Sequence, residues 1–335
     1  MEGNAKLHPI IWAMDALQDS PEIETRCFEI IQSLIGQSDI EVEPVCVLPP
    51  YRVNSPFDVI YPPFPYLGEQ AIESLKGRLQ NFSSTMLSPP KIIDKPVMST
   101  AGAVRELSKY AEERKADLIV VGTHCRKGIS RFFLGSFAES LLLNSRTPLL
   151  MVGIHMAQIT KFDSIFFPTD FGRTSELVFL QVVDLAKSLQ AKLFIYHMVQ
   201  KPVILPAGLA PSVDLPRIMK EEKIKTRERL DRYLELAKQS DLKAEIIYEF
   251  SGDSESEAIL KTALTKHAGL IAMAAQSGAV RSTIIGSTTR QVVRGAPCPV
   301  WVLHARGIAE RKAFDTTEEE VMSDLVDHGR ERESA

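Results

Sequence analysis

The chain repeats itself at about half its length, and this repeat constrains the fold more than any single motif. Ala116–Val152 reads ADLIVVGTHCRKGISRFFLGSFAESLLLNSRTPLLMV, and Ala268–Leu303 reads AGLIAMAAQSGAVRSTIIGSTTRQVVRGAPCPVWVL. Each holds an apolar run, a polar loop, a Gly-Ser pair, a helical segment, a proline and a second apolar run. The glycine precedes that proline by 13 positions in both copies, Gly135 to Pro148 and Gly286 to Pro299. The starts correspond as well: Ile10–Asp15 is IIWAMD and Ile165–Asp170 is IFFPTD. The offsets, 155 for Asp15 to Asp170, 152 for Ala116 to Ala268 and 151 for Gly135 to Gly286, drift slowly, as short loop insertions and deletions require. Four landmarks in preserved order favour duplication over a chance likeness of two strand–loop–helix units. The expected division is residues 5–155, residues 160–305 and a charged tail, 306–335.

Within each copy, short apolar runs alternate with longer segments of helical period. Strands are expected at Ile10–Met14, Val42–Leu48, Lys91–Val97, Leu118–Val121 and Leu149–Val152, then at Ser164–Phe167, Lys192–Met198, Lys243–Phe250, Leu270–Met273 and Val300–Leu303. Continuous apolar runs without strict alternation suit strands buried on both faces of a parallel sheet. Glu22–Ile35, Ala103–Glu113, Ser175–Leu189 and Glu255–Lys266 place apolar residues three and four apart, as helices do. Strand and helix periods taking turns describe an α/β chain of two tandem doubly wound domains. Right-handed crossovers then leave the strand C-termini on one edge, where ligands sit. Trp12 and Trp301 fall inside strand runs and are expected in the core.

Composition excludes several classes of function. Hydrophobic residues make up 44% and charged residues 24%, with a formal net charge of −4. That balance offers no basic face for nucleic acid, and no run approaches the roughly 20 apolar residues of a membrane helix. Met1–Pro9 lacks the basic-then-apolar order of a signal peptide. Cys27, Cys46, Cys125 and Cys298 show no short pairing, which suits a reducing compartment, so a cytoplasmic location is expected.

Two Pro-rich segments interrupt the pattern. Pro49–Tyr66 is rich in aromatics and Lys201–Pro216 is not; each follows a second strand and leads into a long helix, Gly68–Phe82 or Arg217–Lys238. The first is either a simple loop insertion or a lid or contact surface. In the tail, Asp315 and Thr316 precede Glu319 in a capping-box arrangement, and Val321, Met322, Leu325 and Val326 form an apolar stripe. A docked short helix and a frayed charged end are both compatible with it.

Gly122–Ser136, GTHCRKGISRFFLGS, is the segment richest in chemistry. Glycines let a backbone approach phosphate closely, and a helix starting at Ser136 offers unpaired N–H groups with a favourable dipole. The Ser136 hydroxyl either caps that helix or bonds a phosphate oxygen. Arg126 and Lys127 add positive charge. This arrangement resembles the nucleotide-binding members of the universal stress protein (UspA-like) family, with their Gly-x2-Gly-x9-Gly-Ser/Thr after the fourth strand and an Asp ending the first. Gly122, the nine residues Arg126–Leu134, Gly135 and Ser136 fit the spacing, with Cys125 in place of the second glycine.

The resemblance spans about residues 5–305. It implies a nucleotide alpha-hydrolase-like, five-stranded parallel sheet per domain and an internal pseudo-dimer in which Leu149–Val152 meets Val300–Leu303. It also implies ATP or another adenine nucleotide in the first domain, at Asp15 and Val47 by the base and Gly122, His124, Arg126, Gly135 and Ser136 by the phosphates. A Mg2+ would arrive only with the nucleotide. In the second domain Asp170, Gly286 and Ser287 occupy the corresponding positions, but the loop is one residue shorter and Ala274 stands where the first glycine is expected. There the Gly-Ser pair is better read as the start and cap of a helix.

Other chemistries find little support. The phosphate-binding G-x-x-x-x-G-K-S/T and the G-x-G-x-x-G of dinucleotide-binding folds are missing, as is the S-G-G-x-D-S of adenylating enzymes. Gly128-Ile-Ser130 lacks the following x-Gly of a nucleophile elbow. His124 beside Cys125 has no metal-ligand spacing around it. Cys125, next to Arg126 and Lys127, is a candidate redox-sensing thiol. With no base positioned to activate water, the expectation is a binding protein with slow ATP hydrolysis at most. The rival expectation is a module that binds a protein partner, or a second copy of itself, without nucleotide.

Overall fold

A computed structural model describes residues 8–16, 20–36, 38–48, 64–82, 86–94, 99–123, 134–154, 156, 161–201, 215–275 and 286–304, the side chains of 64–67 and 215–216 apart. The expected apolar runs are strands: β1 (Ile10–Ala13), β2 (Val42–Val47), β3 (Lys91–Ile93), β4 (Leu118–Gly122) and β5 (Leu149–Val152) in the first half. The second half has β6 (Ser164–Pro168), β7 (Lys192–Gln200), β8 (Ala244–Ser251), β9 (Leu270–Ala274) and β10 (Val300–Leu303). Helices fall between them: α1 (Pro21–Ile35), α2 (Phe64–Leu79), α3 (Thr100–Glu113), α4 (Ser136–Asn144), α5 (Arg173–Leu189), α6 (Leu215–Gln239), α7 (Glu255–Thr265) and α8 (Ser287–Gly295).

One ten-stranded sheet runs through both halves in the order β3-β2-β1-β4-β5-β10-β9-β6-β7-β8. Every pairing is parallel except β5 with β10, which is antiparallel. Each half is therefore a doubly wound five-stranded unit, and the expected meeting of Leu149–Val152 with Val300–Leu303 is the seam. Its register pairs Leu149 with Val302, Leu150 with Trp301 and Met151 with Val300. At the offset of 151 between copies, Leu150 and Trp301 are equivalent, so a pseudo-twofold axis passes through that pair.

Strand alternation sends side chains to two faces. Ile10, Trp12, Val120, Leu150, Ile165, Phe167, Leu193 and Ala272 pack against α1, α2, α5 and α6. Ile11, Val45, Ile119, Met151, Phe166, Ile271 and Val300 pack against α3, α4, α7 and α8. At about 1.5–3 kcal/mol for each large apolar side chain removed from water, these two layers dominate folding. Trp12 is buried in the core, where it stacks with Phe28. Trp301 is only half-buried on the seam, so the core expected at that position is incomplete.

Local chemistry sets the helix ends. Ser99 caps α3 by accepting from the Gly102 N–H at 3.1 Å. Ser254 and Glu257 form a reciprocal capping box at α7. α1 ends at Gly36 with φ of 61°, and α5 ends at Gln190 with φ of 54°. The two long helices begin earlier than expected, at Phe64 and Leu215, each with a proline in its first turn, where the missing N–H costs nothing. The third strand stops at Ile93, short of the expected Val97. The Pro-rich segments over residues 49–63 and 202–214, and the tail 305–335, lie outside the described residues.

Candidate functional site

Asp15 and Val47 sit at the ends of β1 and β2, and Gly122 ends β4. Gly135 and Ser136 open α4. Parallel pairing of β1 with both β2 and β4 brings these positions to one sheet edge. The Gly135 N–H donates to the Thr123 carbonyl at 3.2 Å, and the Thr123 N–H to Val152 O at 2.8 Å. The base of the intervening loop is thus fastened to the sheet. His124, Cys125 and Arg126, within that loop, lie outside the described residues.

The two glycines are there for different reasons. A Cβ on Gly122 would stand 2.7 Å from Cγ1 of Ile23, a buried residue of α1, so helix packing alone demands glycine. Gly135 has φ of −57°, open to any residue. A Cβ there would meet only the Thr123 carbonyl oxygen, at 3.6 Å. Among the described residues, neither backbone nor neighbouring atoms require its bareness. Gly135 is also the N-cap of α4, with no side-chain hydrogen bond to the helix start. Ser136 is therefore the first helical residue and not its cap, and it is exposed. In the second half too the glycine is the cap, Gly286 for α8, and Ser287 is the first helical residue. A glycine cap lets the following serine, already helical, point away from the N–H groups it was expected to satisfy.

α2 secures the chain after β1. Nη2 of Arg78 donates to the Asp15 carbonyl at 2.6 Å, and Nη1 to the largely buried Glu24 at 2.6 Å. Ser74 donates to the Ala16 carbonyl at 3.0 Å. The Asp15 side chain stays exposed. Sequence reasoning missed Arg78, Ser74 and Glu24, because no spacing announces contacts across 54 to 63 residues. Cys46 on β2 is buried, and burial pushes its thiol up to about 11; Cys298, just before β10, goes up to about 12 for the same reason. Together with buried Cys27, these are packing residues.

In the second half Asp170 is drawn into its own turn. Its Oδ1 accepts from the Gly172 N–H at 2.9 Å and from the Ser175 hydroxyl at 2.6 Å. Thr169 Oγ1 accepts from the Phe171 N–H at 3.0 Å, holding Phe171 at φ of 58°. The Phe171 ring lies 4.3 Å from that of His197. His197 Nδ1 must donate to the Thr169 carbonyl, 2.7 Å away, and burial lowers its pKa. The start of α8 is occupied too. The carboxylate of Glu255, first residue of α7, accepts from the Thr288 hydroxyl at 2.8 Å, and Ser256 donates to Gln291. The first turn of α3 in the other half carries no acidic residue. Among the described residues, no group of three or more His, Cys, Asp or Glu could hold a metal ion, and no helix is long and apolar enough to cross a membrane.

Known proteins share this fold. A solved universal stress protein from Archaeoglobus fulgidus covers 89% of this chain and 96% of its own, at 18% identity and a TM-score of 0.57. A functionally unknown protein from Pseudomonas aeruginosa covers 93% and 98%, at 14% identity and a TM-score of 0.61. At these identities the likeness speaks for the fold. A universal stress protein from Archaeoglobus fulgidus solved in complex with dAMP matches 42% of this chain, at 17% identity and a TM-score of 0.32. Among curated proteins, a universal stress protein of Methanocaldococcus jannaschii is 47% identical over 47 residues. That match spans 14% of this chain and 28% of the relative, little over a quarter of its length. The family model described as "Universal stress protein family" matches residues 7–153 and again 161–304. With both copies matched and both carrying the doubly wound unit, the chain belongs to the universal stress protein family, two tandem members in one polypeptide.

Proposed function

We propose that this protein is a cytoplasmic stress-response binding protein that takes one adenine nucleotide, in its first half, and turns it over slowly or not at all. The observation that carries this reading is Gly135. It caps a helix at the edge of the sheet formed by the strand C-termini, and its bareness serves no contact within the described residues. Glycine at a helix start admits a phosphate against the first N–H groups, where the dipole favours negative charge. The exposed Ser136 hydroxyl adds a donor, and the Gly122-to-Gly135 loop supplies His124 and Arg126. Asp15 and Val47, at neighbouring strand ends, are the residues for the base. The second half is closed by its own groups, with Glu255 at the start of α8 and Asp170 spent on its turn. The donor set suits phosphate; any Mg2+ would be held by the nucleotide.

The test is calorimetry of nucleotide-stripped protein with ATP and with dAMP. One ligand per chain is expected, with at least tenfold weaker binding in Gly135→Val, where a branched side chain fills the cradle. No heat, with no nucleotide in extracts of freshly purified protein, overturns the proposal. So does unchanged affinity in the variant.

A second reading, docking of a protein partner, has one supporting observation. Residues 217–225 of α6 are all exposed and include Ile218 and Ile224, 51% and 50% exposed. Apolar residues left so bare on a long helix are a natural contact surface.

A further inference from the structure

The pseudo-twofold axis through Leu150 and Trp301 sets equivalent residues of the two halves facing each other. On one face of the seam, α4 of the first half meets α8 of the second. Glu139 of α4 and Arg290 of α8 are equivalent, 151 positions apart, and they are oppositely charged. Glu139 Oε1 lies 3.7 Å from Arg290 Nη1 and 3.0 Å from Arg294 Nη2. The Glu139 side chain is 28% exposed, so solvent screening is reduced though not abolished. Nearby, His304 Nε2 donates to the Leu142 carbonyl across the seam at 3.0 Å. The residue equivalent to His304 is Gly153, which has no ring with which to return that bond.

Pairing of a domain with a copy of itself about a twofold axis brings identical positions together. Two first halves paired in this way would oppose Glu139 to Glu139. Two second halves would bring Arg290 and Arg294 against Arg290 and Arg294. Only the mixed pair is charge-complementary. We infer that the Glu139–Arg290–Arg294 cluster makes the β5–α4 face of the first half selective for the β10–α8 face of the second, and rejects a second copy of itself. The strand edges supply affinity through apolar contact, whereas the charges supply choice, because like charges facing each other penalise the wrong partner.

The test keeps the whole protein and cuts it only after folding. A protease site replaces residues 157–160, the nicked protein is unfolded and refolded, and native mass spectrometry counts the pairs. Mixed pairs are expected to dominate, with like pairs below about a tenth of the total, as a difference of about 1.4 kcal/mol implies. Glu139→Arg should return the population toward the binomial mixture of random pairing. Adding Arg290→Glu and Arg294→Glu to that variant should restore mixed pairs. A binomial mixture from the unmutated sequence overturns the inference, as does undiminished selectivity in Glu139→Arg. Variants that fail to refold after nicking are read uncut instead, by melting temperature. There the triple variant must recover what Glu139→Arg loses; a further loss equally counts against the inference.

Discussion

The contact between first helix and fourth strand is built from opposite choices in the two halves. In α1 the buried positions Ile23, Cys27, Ile30 and Ile31 correspond, at a constant offset of 152, to Ser175, Phe179, Val182 and Val183 of α5. The same offset relates Gly122 to Ala274. The first half sets a bulky isoleucine against glycine; at the equivalent positions the second carries a small serine and an alanine. Both pairings keep the helix from meeting the strand too closely, the first with a bare strand position and the second with a small helix residue. Ala274 is therefore no simple loss of a phosphate-loop glycine. Ser175 is small, and its hydroxyl reaches Asp170, so the same exchange also ties down the turn after β6.

The largest effect is expected at the seam, where His304 follows β10 and Gly153 follows β5. Burial lowers the His304 pKa from 6.5 to about 4, so the ring is neutral in the fold. Unfolded chains bind more protons than the native state between those values, so stability falls as pH drops through that window. The loss approaches about 3 kcal/mol by pH 4. Urea midpoints taken at several pH values should show it, and His304→Gln should flatten the slope. An equal slope in the variant would remove His304 from the account.

Next in size is the packing swap. Gly122→Ala should cost about 2 kcal/mol, because the new methyl group meets Ile23. In an Ile23→Ala background the same change should cost below about 0.5 kcal/mol, a non-additivity that denaturation of the four variants measures. Ala274→Gly, by contrast, should lose only about 1 kcal/mol, through backbone entropy. If Gly122→Ala costs the same in both backgrounds, the glycine serves the loop and not the helix.

The smallest effect compares the caps. Ser254→Ala removes one arm of a reciprocal box and should cost about 1 kcal/mol; Ser99→Ala, which removes a single bond, should cost about half of that. Thermal melts that rank the two in the opposite order would show that α3 depends on its cap more than α7 does.

Much of the fold was legible because duplication and periodicity are local or repetitive signals. Strand runs such as Leu149–Val152 and Val300–Leu303 were read to the residue, since burial on both faces leaves an unbroken apolar string. The candidate site was legible in part. Gly135 and Asp15 stand in recognisable spacing, but Gly122 carries the same spacing for a different reason, its contact with Ile23 across 99 residues. Arg78, which clasps the chain at Asp15, and Glu255, which meets Thr288, are ordinary surface residues in the sequence. Their roles exist only where helices from distant segments converge.

By itself, then, the sequence determined that there are two α/β units, where most of their strands lie along the chain, and which loop in each carries a Gly-Ser pair. Those features follow from hydrophobic period and turn chemistry, which act over a few residues. Tertiary structure alone decided that the units differ: which glycine is a packing residue, which helix start already holds a carboxylate, and which charges meet across the seam. Such distinctions depend on side chains brought within a few ångströms from far along the chain, and no local pattern records them.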